Sequence, residues 1–168
     1  MAFETTILFA FAAMLFWGVG DFLIQKVTRK VGDIETLTWI GIIGSIGLLP
    51  FVWNDLALIF IPQNMLLIIG LGVITFIAAM FNFEALKEGK ISVIDVVLEM
   101  ELPVTIALSF IFLKEILTTL QAIIILFILS GIILIATQSF SHLRTKIEKG
   151  VILALVGSVF MGVVNYLT

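Results

Sequence analysis

The stretch ISVIDVVLEMELPVTIALSFIFL, residues 91–113, decides how the rest of the chain is read. It is long and apolar enough to cross a bilayer, yet it carries Asp95, Glu99, Glu101 and an interior proline, Pro103. Fourteen of its residues are Leu, Ile, Phe or Val. These contribute about −4 to −8 kcal/mol to insertion, while three carboxylates near mid-span cost roughly 2.5–3.5 kcal/mol each. The two sums nearly cancel, so the acids are expected to face other helices or a wet cavity rather than lipid.

Helical spacing sorts the three acids. Asp95 and Glu99 are four apart and share a face, with Ser92 about one turn earlier. Glu101 lies about 200° around the axis from Glu99. Pro103 has no N–H, so the carbonyl of Glu99 is expected to lose its helical donor. A free carbonyl beside a carboxylate near mid-bilayer suits a cation, a proton or an ammonium group. The plainer alternative is a proline kink in a packed helix whose acids hydrogen-bond to neighbours.

The totals exclude a globular domain. Hydrophobic residues make up 61% of the 168, charged residues 12%, and mean hydropathy is +1.27. The formal charge of −3 says less than where the charges lie. The absence of cysteine removes disulfides, thiolate nucleophiles and Cys-based metal sites. The single histidine, His142, has no partner at ligand spacing, so neither a metal nor another cofactor is expected. No basic patch interleaved with aromatics points to nucleic acid. The first apolar run lacks a basic start and a small-residue cleavage site, and reads as a retained helix.

Six apolar stretches are each close to the length a bilayer needs: 5–25, 33–53, 64–86, 91–113, 118–140 and 150–168. The expected fold is an all-α, multi-pass helical bundle with antiparallel sequential neighbours. Residues 54–63, with Asp55 and Pro62, read as an interfacial turn. Gly41, Gly44 and Gly47, with Ser45, form a small-residue stripe expected to pack against another helix. Gly70 and Gly72, Ala78 and Ala79, Ser130 and Gly131, and Gly157 and Ser158 are expected to do the same. Trp17, Trp39 and Trp53 lie at or towards span ends, Trp53 most plainly as an interfacial anchor. Of the nine Lys and Arg, Lys26, Arg29, Lys30, Lys87, Lys90, Arg144, Lys146 and Lys149 fall on one side and Lys114 alone on the other. That count puts the eight in the cytoplasm and the N-terminus outside.

An internal repeat adds to this. Residues 15–23, LFWGVGDFL, align with 159–167, VFMGVVNYL, at an offset of 144 that also matches Ala10 to Ala154 and Glu4 to Glu148. Asp21 thereby corresponds to Asn165. Five spans separate the copies, an odd number, so the second copy starts from the opposite side of the membrane. That is the inverted-repeat plan of secondary transporters. The expected organisation is a five-helix repeat over 1–140, a polar linker over 141–149, and the first helix of an inverted second repeat over 150–168. The chain is then expected to be a truncated form of a ten-helix protein.

These residues resemble the EamA-type transporters of the drug/metabolite transporter superfamily. The resemblance rests on Phe16-Trp17-Gly18, on Ala85-Leu86-Lys87-x-Gly89 followed by Ser92-Val93, on Pro103, on Leu113-Lys114-Glu115, and on Gln121 through Ser130-Gly131-Ile132. Lys114 stands where the family usually has glycine, and Asp95, Glu99 and Glu101 make this span more acidic than is typical. The resemblance implies two five-helix repeats in the cell (plasma or inner) membrane and a small-molecule solute such as an amino acid or amine, moved by alternating access. It also implies both termini in the cytoplasm, against the charge count.

The leading expectation is a secondary transporter rather than an enzyme, in which Glu99 and Asp95 exchange a proton for a cationic or zwitterionic solute. Glu101, Asn82, Trp17 and Asp21 are further candidates for solute or proton binding. Asp21, with Gln25 one turn on, also reads as a solvated helix end, and Trp17 and Phe83 as packing. Glu84, three residues before Lys87, is expected to form an interfacial ion pair with it, and Glu115 to cap the loop after span four. Two other classes compete: a membrane scaffold or half-transporter working as a homodimer, and an intramembrane aspartyl protease using Gly18-x-Gly20-Asp21. The protease reading lacks a Tyr-Asp pair, since the only tyrosine is Tyr166.

Overall fold

The computed structural model describes residues 2–114, 117–140 and 146–168, and every regular element among them is helical. Helix α1 spans Ala2–Val31 and stops at Gly32, whose φ of 104° is open to glycine at little cost and whose N–H returns to the Thr28 carbonyl at 3.0 Å. Helix α2, Asp33–Val52, contains Pro50 in its last turn and leads into a 3₁₀ segment, Trp53–Phe60, where the interfacial turn was expected. Helix α3, Pro62–Glu88, starts on a proline that lacks only an amide no helix start would use. Helix α6 spans Thr119–Phe140 and α7 spans Lys146–Leu167, so part of the expected polar linker belongs to α7. Glu115 and His142 lie outside the described residues.

Five of the helical stretches are long and apolar enough to cross a membrane, and α6 adds an apolar run over Thr119–Leu134. Their outer faces carry large apolar side chains, such as Phe16 at 77% exposure and Leu66 at 76%, as a hydrocarbon solvent requires. The protein is a multi-pass helical membrane protein.

Span four is broken. Helix α4, Ile91–Leu98, gives way to α5, Glu101–Leu108, through a two-residue turn at Glu99 and Met100. A wider π turn, Ser109–Leu113, ends the span. The expected orphan carbonyl at Glu99 does not occur. The Leu102 amide donates to it at 3.1 Å in a three-residue bond, because the chain tightens ahead of the proline. Lys114 follows at φ 54°, a left-handed conformation that favours glycine.

The densest packing is not between sequential helices. Helix α7 lies antiparallel along α3 and parallel to α4 and α5, as the order of its contacts shows. Its first turns abut Ala85 and Gly89, Phe160 stacks on Phe81 at 6.0 Å, and Gly162 meets Glu101 and Val104. The buried core, Ala85, Leu86, Ile94, Val97, Val151 and Ala154, sits where α3, α4 and α7 converge. The end of α1 meets the end of α3, where α7 begins, so α1 and α7 run in opposite directions.

One expectation is corrected here. A side chain built at Gly41, Gly44, Gly47, Gly70, Gly72 or Gly131 would meet nothing, whereas one at Gly157 or Gly162 would collide with α3 or α5 and one at Gly150 would press closely on α3. Close helix approach is concentrated on α7. Gly41 and Gly72 instead line an open groove of about 980 Å³ between α2, α3 and the end of α7.

At one end of the bundle the polar groups converge. Buried Gln25 donates to the Leu86 carbonyl at 2.8 Å and to that of Gly89 at 3.2 Å, and Arg29 reaches Gly89 at 2.6 Å and Lys87 at 3.0 Å. Helix α1 thus caps carbonyls that end α3. Lys87 pairs with Glu84 at 2.9 Å, as the spacing implied, and with Asp33 at 3.2 Å. Lys149 of α7 pairs with Glu84 and Glu88 at 3.1 Å each.

Two stability outcomes follow. Gly162→Ala places a methyl 3.0 Å from the Glu101 carbonyl and closer to Val104, and is expected to cost about 1–3 kcal/mol. Gly41→Ala, facing open space, is expected to cost nothing; thermal unfolding in detergent compares the pair. Lys114→Gly should raise stability by about 1 kcal/mol by relieving the left-handed backbone.

Candidate functional site

The break in span four sets the geometry. Glu99 ends α4 and Glu101 begins α5, so the two carboxylates leave the chain on either side of the turn. Asp95 lies one turn before Glu99 on α4. Pro103, in the first turn of α5, occupies a position where its missing amide matters least. An acid in the first turn of α5 also suits the partial positive charge of that helix end.

Two other helices bring polar groups to this row. The Asp21 carboxyl, on α1, lies near that of Asp95, and Glu99 is close enough to interact with both. Two carboxyl groups so placed can hydrogen-bond only when one carries a proton. On the other flank, Glu101 is near the Asn165 side chain on α7 and near Glu99. The row therefore runs Asp21, Asp95, Glu99, Glu101, Asn165 across α1, the broken span and α7. Asp21, Asp95 and Glu101 are half-buried, while Glu99 and Asn165 are exposed.

The other candidates lie elsewhere. Trp17 is 72% exposed on the outer face of α1. Asn82 packs over Gly157 of α7, and its buried Oδ1 has no hydrogen-bond partner. Phe83 is buried in the helix packing. Among the described residues no group of three His, Cys, Asp or Glu converges closely enough to hold a metal ion. Asp21 and Asp95 do come together, as a two-aspartate protease would need. Tyr166, the only tyrosine, packs instead on Phe112 at 5.9 Å.

Sequence reasoning did not single out Asn165 as a site residue, although the 144-residue offset pairs it with Asp21. Helices α1 and α7 each place a polar residue beside an acid of the broken span: Asp21 beside Asp95, Asn165 beside Glu101. The hydroxyls of Ser158, expected only as a small packing residue, and of Thr105 tie α7 to the two halves of that span, a role the sequence did not show. Isolated serines and threonines in apolar helices give no periodic signal.

Residues 4–137 match the EamA-like transporter family. The chain is also 31% identical, over 137 residues, to an uncharacterized protein of Methanocaldococcus jannaschii, a match that covers 81% of this chain and 99% of that relative. No solved structure matches it. With its apolar helices and a family match over most of its length, the chain belongs to the EamA-like transporter family.

Proposed function

We propose that the protein is a secondary transporter of small cationic or zwitterionic metabolites, amines or amino acids, working by alternating access in the cell membrane. The observation that carries this is the acid row spanning α1, the broken span and α7, with no lysine or arginine among its members. Acids kept together in a membrane helix raise the cost of insertion, which marks them as candidates for binding a positive solute. A proton bound between Asp21 and Asp95 is released as the solute arrives at Glu99, which couples the two movements. The opposed directions of α1 and α7, each bearing the equivalent polar residue, support an inverted two-repeat plan. The Lys and Arg gathered where α1 and α3 end and α7 begins support that end as the cytoplasmic one.

A second reading has its own observation. The Methanocaldococcus jannaschii relative consists of little more than the matched unit, and the α2 glycine face is open. Both suit two chains assembling into one transporter. Molecular mass in detergent separates a monomer from a dimer.

The test of transport uses the chain reconstituted in liposomes with a pH gradient and labelled putrescine or lysine as probe. Gradient-driven uptake is expected in the wild type and a loss of about tenfold or more in Glu99→Gln, the effect of losing a charged hydrogen-bond partner. Membrane insertion is expected to be unchanged. Coupled uptake equal to wild type in Glu99→Gln overturns the role of Glu99. Cleavage of a membrane peptide that is lost in Asp21→Ala favours the protease instead.

A further inference from the structure

Pro103 removes one amide from span four, and the resulting vacancy is displaced along the chain. The Leu102 amide, which in a continuous helix would bond to the Leu98 carbonyl, donates instead to Glu99 at 3.1 Å. The Met100 amide turns back to Val97 at 3.1 Å in the same tightened manner. The Leu98 carbonyl is therefore left with no amide donor among the described residues. Inside a bilayer no water replaces it.

A hydroxyl from another helix takes that place. Ser158 Oγ, on α7, lies 3.1 Å from the Leu98 oxygen and 3.3 Å from that of Val97. It also lies 2.7 Å from the Ala154 carbonyl of its own helix. Ser158 has 0% exposure, so its choice of acceptor is confined to these three. One hydroxyl carries one proton, and Ala154 already has a helical donor in the Ser158 amide. Leu98 is the acceptor that needs it.

A second tie sits one turn later. Thr105, on α5, lies 3.2 Å from the Gly162 carbonyl of α7 and 2.9 Å from that of Glu101. Gly162 has no side chain, and a Cβ there would fall 2.6 Å from Val104 Cγ1. Helix α7 thus holds α4 through Ser158 and α5 through Gly162, on opposite sides of the turn that carries Glu99.

We propose that Ser158, together with Gly162, is the positioning element of the acid row: α7 splints the broken span and sets how Glu99 and Glu101 stand relative to each other. The proposal rests on reading those acids as the solute site. Moving α7 against α3 would then turn one carboxylate relative to the other, which gives the second copy of the repeated helix a direct hold on solute affinity.

The test uses the full chain in liposomes and dicyclohexylcarbodiimide, which labels carboxyl groups accessible from the membrane. Mass spectrometry reads the ratio of labelling at Glu99 to that at Glu101, so that a loss of folded protein is separated from a change in geometry. Ser158→Ala is expected to change this ratio about threefold, the usual size of one interhelical hydrogen bond in lipid. Ser158→Thr, which keeps the hydroxyl, is expected to restore it. Thr105→Val removes the other tie and serves where Ser158→Ala fails to accumulate. Putrescine uptake measured in parallel should show a raised KM with the maximal rate retained. A wild-type ratio in both Ser158→Ala and Thr105→Val overturns the splint, as does a Ser158→Thr protein that behaves like Ser158→Ala. If the ratio responds but the wild type carries neither putrescine nor lysine, the splint stands and transport falls. If putrescine is carried and the ratio never moves, transport stands and the splint falls.

Discussion

A backbone amide or carbonyl inside hydrocarbon has no water to bond, so each one needs a partner within the protein. Span four breaks that economy deliberately, because proline withholds an amide halfway across. The chain responds by tightening into three-residue bonds at Met100 and Leu102, and the deficit lands on Leu98. Everything around the turn follows from this. The helix splits into α4 and α5, the acids at positions 99 and 101 emerge on either side, and α7 is drawn close enough for its serine to serve the orphan oxygen.

The same constraint governs the polar end of the bundle. Helix α3 finishes with carbonyls that no further turn can satisfy, and Gln25 and Arg29 of α1 supply the donors. Gln25 stands one turn after Asp21 on the same helix, so the cap that ends α3 also fixes which way α1 faces. The acid row and the capping cluster are in this sense one arrangement: the first needs α1 rotated towards span four, and the second holds that rotation. Exposed ion pairs such as Lys149 with Glu84 and Glu88 add a tie to α7, and salt screens them readily.

Much of this was legible along the chain. Long apolar runs mark the spans because only helices of bilayer length bury their backbone in lipid, and the acids of residues 91–113 stand out against that background. The resemblance placed a glycine at position 114 as an expectation, and the left-handed backbone of Lys114 suits one. The glycine stripe on α2 misled, because a small residue permits close approach without compelling it. Gly41, Gly44 and Gly47 face open space, while Gly150, Gly157 and Gly162 on α7 are the ones against which other helices press. The Glu99 carbonyl misled for a different reason: proline withholds its usual donor, but the tightened turn supplies the Leu102 amide and leaves the neighbouring carbonyl without one.

The sequence alone determined that the chain spans a membrane several times and that one span is proline-broken and acidic. Those properties live in composition and period, which lipid reads one segment at a time. Only the tertiary structure decided that Asp21 stands beside Asp95, that Asn165 answers Glu101, and that a lone serine on α7 reaches Leu98. These pairings join residues far apart in the chain. They depend on how helices rotate and cross, which single-span patterns do not encode.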